Sequence, residues 1–215
     1  GSVSQSARAP TPVELACASE DAPCNLPNAF LADPPLEQVV ANSLEIGASA
    51  VLADGVSWHA GVFHTVNRED ILFQTTGGAT ANVGFFDNVG DTRRTGVEFG
   101  IGQNGERIHW SLDYSLVDAV FLDAFVTSSP NHPVFDENPT AATSAGDGKL
   151  LVSARSTIPG IPRHLVNAAI DWRATGRLTI GADASFRSGV YLRGDEANLL
   201  AKTRSYALAN LRGEF

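Results

Sequence analysis

The stretch from Asn88 to Asp118, NVGDTRRTGVEFGIGQNGERIHWSLDYSLVD, predicts two long strands joined by a tight turn. Apolar and polar residues alternate on both sides of Gln103-Asn104-Gly105, and strict period-two alternation gives a strand one apolar and one polar face. Asn and Gly tolerate the positive φ of tight hairpins, so this tripeptide predicts the turn. A wall between lipid and a wet lumen produces such a pattern. The apolar positions are Val97, Phe99, Ile101, Ile108, Trp110, Leu112, Tyr114 and Leu116.

The same alternation recurs along the chain, and no segment shows a helical period. Strands are predicted over residues 1–9, 36–52, from 56 to a Gly-rich tip at 75–81, 149–172 with a break at 158–162, 178–187 and 205–215. Short turns near Asp54, Asn104 and Thr175 alternate with long loops over 10–35, 74–87, 123–160 and 193–204. Short turns on one side and long loops on the other are typical of outer-membrane barrels. We therefore predict an all-β fold, an antiparallel up-and-down transmembrane β-barrel of about eight strands.

Composition excludes several classes of protein. The 215 residues carry a net charge of −9, which argues against nucleic acid as a partner. No apolar run approaches the roughly 18 residues of a membrane helix, whereas the mean hydropathy of −0.03 fits strands that are half apolar. The chain opens Gly-Ser and contains no Met, so we expect an excised piece.

Two sets of residues define the expected faces of the barrel. The three tryptophans, Trp58, Trp110 and Trp172, each fall on the apolar face close to a short turn, as an aromatic girdle at the membrane interface requires. The opposite face is expected to point into the lumen. Its polar residues are Glu45, His59, Glu98, His109, Asp113, Asp171 and Asp183.

The two cysteines, Cys17 and Cys24, lie in a Pro-rich polar loop. In an oxidising compartment they would close a small disulfide loop, and two free thiols are the alternative. An isolated pair lacks the four ligands of a structural zinc site.

The sequence contains few candidate motifs for catalysis or for binding a ligand, and most of them are rejected. Gly100-x-Gly102-x-x-Gly105 matches the dinucleotide fingerprint in spelling only, because a strand follows it where the motif requires a helix. His59 and His64 are expected on opposite faces of one strand. Arg93 and Arg94 could bind an anionic ligand or lipid headgroup, although pairing with lumen carboxylates such as Glu98 is favoured. A cation site in the long loop is disfavoured against a solvated acidic loop; its candidate ligands are His132, Asp136, Glu137 and Asp147. We predict no enzyme, no catalytic residues, no metal site and no cofactor.

Three stretches, in this order, resemble the barrel of TonB-dependent outer-membrane receptors. Residues 7–15, ARAPTPVEL, are similar to the family's FRAPTPxEL loop, with Ala7 in place of the usual aromatic residue. Asn88-Val89-Gly90 followed by Arg94-x-Gly96-x-Glu98 resembles its N…RRxGxE strand. Residues 158–164, IPGIPRH, resemble its IPGxPxH segment.

The resemblance implies a Gram-negative outer-membrane receptor that imports an iron–siderophore or similar nutrient. It covers nearly the whole chain as one barrel segment, 1–215, without the plug domain, and implies contact with TonB only through parts absent here. Lipid and a small-molecule chelate are the expected partners. A family barrel has about 22 strands, so the chain could be an open slice or a small closed barrel. A non-transporting eight-stranded barrel or soluble β-domain is the alternative.

Overall fold

The computed structural model describes residues 1–18, 36–52, 55–75, 84–137 and 148–215. Eight strands form one antiparallel sheet in the order β1-β2-β3-β6-β7-β10-β11-β12. These strands are β1 Ser2–Arg8, β2 Val39–Val51, β3 Val56–Arg68, β6 Thr92–Asn104, β7 Ile108–Phe121, β10 His164–Arg173, β11 Thr179–Arg187 and β12 Tyr206–Glu214. The all-β antiparallel fold and the up-and-down order of the eight strands are thereby confirmed.

Short turns close one end of the sheet. Gly105 N–H donates to the Ile108 carbonyl at 3.0 Å in the β6–β7 turn, and Thr175 N–H donates to the Leu178 carbonyl at 3.2 Å in the β10–β11 turn. In the β2–β3 turn Leu52 N–H donates to the Val56 carbonyl at 2.7 Å, while residues 53 and 54 lie outside the described residues. All long connections leave from the opposite end.

The sheet is open. Strands β1 and β12 each pair with one neighbour only, and no pairing joins them to each other in the described part of the chain. The alternative of a small closed barrel is therefore wrong for this chain, whose eight strands form an open sheet. Open edges are strong templates for pairing with further strands.

The connections contain structure that alternation does not predict. Two small hairpins pair β4 Ile71–Thr75 with β5 Gly84–Asn88, and β8 Phe125–Ser128 with β9 Lys149–Val152. The expected strand over 149–172 is thus two strands in two different sheets. Two helices of five and four residues, α1 Pro12–Ala16 and α2 Val134–Glu137, correct the expectation of no helix. No helix among the described residues is long and apolar enough to span a membrane.

Candidate functional site

The register of the sheet places all seven expected lumen residues on one face. Directly paired residues of neighbouring strands share a face, as do residues two apart along a strand. His59 pairs with Gly100, and Gly100 with Asp113; His109 pairs with Asp171. Glu45, Glu98 and Asp183 fall on the same face by the same counting. His64 lies on the other face, as expected, and donates to or accepts from Thr95 Oγ1 at 2.8 Å.

A glycine brings His59 and Asp113 together across a strand. A Cβ on Gly100 would stand 2.7 Å from both His59 Nε2 and Asp113 Oδ1. Both side chains therefore lean over β6 into the space that this glycine leaves. Gly100, the first glycine of the dinucleotide motif excluded above, therefore makes room for two side chains that pack over a strand. Among the described residues, no group of three or more His, Cys, Asp or Glu side chains is arranged to hold a metal ion.

A second glycine permits an ion pair near the short turns. Arg212 on β12 reaches across Gly181 on β11 and donates to both carboxylate oxygens of Asp171 at 2.6 Å. The same guanidinium lies 3.5 Å from Asp183, to which Asn210 also donates at 2.8 Å. The Arg212 side chain is half exposed, so the pair contributes little stability. It orders the edge of the polar face, and sequence reasoning missed both Arg212 and Asn210.

The Arg93-Arg94 pair is split between the two faces. Arg93 pairs with Asp118 at 3.2 Å. Arg94 lies on the opposite face, 3.5 Å from the Asp70 carboxylate and 3.3 Å from Thr92 Oγ1. Both arginines therefore pair with carboxylates, as favoured, but their partners are Asp118 and Asp70 in place of the example given, Glu98, because Arg94 points along the sheet toward the β3–β4 connection.

The other face of the sheet is apolar and exposed. Its members include Val97, Ile170 and Trp172, which are 43%, 46% and 48% exposed. Soluble monomers rarely expose large contiguous apolar patches, and such patches usually mark a surface that contacts a membrane or a partner. Nothing in the described chain covers it.

The three tryptophans lie along one oblique line on this face. Trp58 on β3 pairs with Ile101 on β6, which in turn pairs with Leu112 on β7. Trp110 lies two residues from Leu112 along β7, nearer the short turns. Trp110 pairs with Ile170, and Trp172 again lies two residues nearer the turns. At about 3.3 Å per residue and about 4.8 Å per strand, this offset inclines the line by roughly 40° to the perpendicular of the strands. That angle equals the usual strand tilt in membrane barrels, roughly 35–45°.

The ARAPTPVEL segment, residues 7–15, contains the end of β1 and the capped N-terminus of helix α1. Thr11 is the N-cap of α1, its side chain accepts from Glu14 N–H at 3.3 Å, and Glu14 accepts from Thr11 N–H at 2.7 Å. Arg8 at the end of β1 pairs with the same carboxylate at 2.7 Å. Burial opposes ionisation of Glu14, but the hydrogen bonds from Arg8 and Thr11 outweigh it and lower its pKa. The motif thus fixes how the chain leaves the first strand.

An acidic corner lies where β3 ends. Burial raises the pKa of Glu69, and the nearby carboxylates of Glu37, Asp91 and Asp123 add to the increase. Glu69 has a positive φ of 50°, and its N–H donates to Asp91 at 3.3 Å.

The long connections meet in the hydrophobic core of the described chain. Val89, Phe121 and Val152 are almost fully buried there, packed against Leu72, Phe125, Ile158 and Ala197. His132, considered as a cation ligand, instead pairs with Asp195 at 3.2 Å. Asp147 lies outside the described residues.

The disulfide stays a prediction. Cys17 is buried at the end of α1, and its carbonyl accepts from Phe86 N–H at 2.7 Å. Cys24 lies outside the described residues.

Comparison with known proteins gives these features a family context. A family model described as TonB dependent receptor-like, beta-barrel, matches residues 1–215. A comparison with curated proteins finds no match.

Solved structures share the fold at low identity. The copper transporter OprC has a TM-score of 0.63 at 16% identity, covering 98% of this chain and 28% of that one. The siderophore receptor PiuA from Acinetobacter baumannii has a TM-score of 0.58 at 18% identity, and the match covers 86% of this chain and 23% of PiuA. The ferric-catecholate import receptor Fiu from K12 E. coli has a TM-score of 0.53 at 16% identity, and the match covers 83% of this chain and 21% of Fiu. The chain thus spans about a quarter of these proteins' length.

Proposed function

The chain belongs to the TonB-dependent receptor β-barrel family, and from this premise we propose that it forms part of the wall of an outer-membrane receptor that takes up an iron–siderophore or similar metal chelate. The observation that carries the proposal is the sheet itself: one largely apolar face, one polar face and two unpaired edges. In lipid each edge requires a partner strand, because unpaired backbone groups there cost several kcal/mol. Further strands of the same receptor would supply those partners.

The polar face would line the lumen, against a plug domain and the passing chelate. Its carboxylates and imidazoles, from Glu45 to Asp183, are hydrogen-bonding groups suited to a wet interior. The long connections would face the cell exterior and capture the chelate. TonB would act through parts of the receptor outside this chain, and the lipid of the outer membrane would cover the apolar face.

Uptake tests the transport proposal. Cells that lack the full-length protein are expected to lose accumulation of one radiolabelled chelate from a panel of ferric catecholate, ferric hydroxamate and copper complexes. Accumulation should return with the reintroduced gene and disappear with an uncoupler, since uptake through TonB requires an energised inner membrane. Unchanged accumulation of every chelate in the deletion strain would count against transport of these cargoes.

The tryptophan line would form the aromatic girdle beside the short turns. Fluorescence of the reconstituted full-length protein is expected to be quenched by lipids brominated near the headgroup more than by lipids brominated at the chain end. Trp110→Phe, Trp58→Phe and Trp172→Phe should each remove a share of the shallow quenching. Equal quenching at both depths, or efficient quenching by aqueous iodide, would show that these residues do not lie at the interface.

A further inference from the structure

The long connections pack against each other as one layer. We define the loop layer as the described residues of 69–91, 122–163 and 188–205, which join β3 to β6, β7 to β10 and β11 to β12. Each connection contributes to the same hydrophobic core, through Val89, Val152 and Ala197 respectively. The connections are therefore not independent loops of the kind expected from their length.

Polar contacts tie the second and third connections together. Ser129 Oγ donates to the Gly194 carbonyl at 2.7 Å. Asn198 bonds the backbone of Thr157 in both directions: its Oδ1 accepts from Thr157 N–H at 2.6 Å, and its Nδ2 donates to the Thr157 carbonyl at 3.0 Å. Asn198 holds a positive φ of 59° while it does so. These bonds join segments about 40 to 65 residues apart in sequence.

The pair between His132 and Asp195 lies at the centre of this contact. Both side chains are 2% exposed, and His132 Nε2 lies 3.2 Å from Asp195 Oδ1. His132 Nδ1 accepts from Val134 N–H at 3.1 Å, so the ring proton must be on Nε2, directed at the carboxylate. Asp195 also accepts from the N–H groups of Leu199 at 2.7 Å and Leu200 at 3.1 Å.

We propose that the second and third connections move as one body and that the buried His132–Asp195 pair is the strap that couples them. Separating the connections would break the bond between these two buried side chains and expose the hydrophobic core that the connections share, which costs more than losing an exposed pair. Any rearrangement of one connection must carry the other with it or break the strap. This coupling goes beyond the proposed transport and does not depend on which cargo is taken up.

Hydrogen exchange in the full-length protein in detergent tests the coupling. His132→Ala is expected to speed exchange of the backbone amides of residues 195–203, in the other connection, by about tenfold or more. Exchange in β10 and β11 should not change. If His132 stabilised only its own connection, His132→Ala would speed exchange only around residues 129–137. Unchanged exchange at 195–203 would therefore overturn the proposal.

Matched variants separate coupling from general loosening. His64 is an exposed histidine that, like His132, hydrogen-bonds another side chain, here the hydroxyl of Thr95. His64→Ala should therefore leave hydrogen exchange in the loop layer unchanged. Asp195→Asn should speed exchange at residues 129–137, the reciprocal effect. The double variant should exceed the larger single effect only slightly, whereas effects that multiply would show that the two residues act independently and would overturn the strap.

One measurement requires no variant. Across a urea series, amides of residues 129–137 and 195–203 in the unaltered protein are expected to share one dependence of exchange on urea, because coupled segments open together. Two clearly different dependences would show separate opening and overturn the proposal.

Discussion

Arginine in place of Leu112 is expected to destabilise the receptor in the membrane by about 1–2 kcal/mol, because Leu112 lies only two residues inside Trp110 of the proposed girdle, between the membrane interface and the bilayer midplane. Leu112 lies on the apolar face in the first half of β7, paired with Ile101 and Ala168. The carboxylate of Asp118 on the same face lies six residues further along β7 and already pairs with Arg93, so a guanidinium at this position must reach past neighbouring apolar side chains to find water. We expect less folded protein to accumulate in the outer membrane.

The neighbouring residue supplies the control. Ser111 points to the polar face, where it pairs with Gly102 and Ala169, and Ser111→Arg is expected to be tolerated. Both variants of the full-length protein can be compared by urea unfolding in bilayers and by the change in gel mobility on boiling. If Ser111→Arg were the damaging substitution, the assignment of the faces would be reversed. If both were neutral, the sheet would not be embedded in lipid.

Alternation predicts the fold as far as the eight long strands. A strand with one apolar and one polar face must repeat every two residues, so Val97, Phe99 and Ile101 reveal both the element and its orientation. The polar residues from Glu45 to Asp183 are assigned to one face for the same reason, and the register agrees. Closure could not be predicted, because a slice and a small barrel have the same periodicity.

The loop layer shows where periodicity stops being informative. Strands β4, β5, β8 and β9 have four or five residues each, too short for a period to be distinguished from chance. His132 and Asp195 are separated by 63 residues, and neither has a local motif that names the other. Helix α1 does carry a local signal, the capping box of Thr11 and Glu14, but a helix of five residues is too short to show a helical period.

Alanine in place of Gly96 is expected to cost about 1–3 kcal/mol, the usual range for overpacking. Gly96 is buried in the middle of the sheet, where a Cβ would collide with the Leu116 carbonyl and the Phe63 ring. The ring lies over the glycine because Phe63 and Gly96 are directly paired on one face of β3 and β6. The glycine in the Arg94-x-Gly96-x-Glu98 stretch is thus required for packing and not for a turn. Urea unfolding of the full-length protein in bilayers measures the loss.

Two comparisons separate this cause from the general effect of losing a glycine. Gly61 lies inside the sheet on β3, where an added Cβ would meet only the Ile46 carbonyl at 3.6 Å, an ordinary van der Waals contact, so Gly61→Ala should be neutral or slightly stabilising. In a Phe63→Ala background, Gly96→Ala should cost less than alone, since the ring no longer opposes the methyl group and only the Leu116 carbonyl remains. An equal cost in both backgrounds would assign the requirement to the backbone contact alone. A cost at Gly61 as large as at Gly96 would mean that crowding beside Phe63 is not the reason for the glycine at position 96.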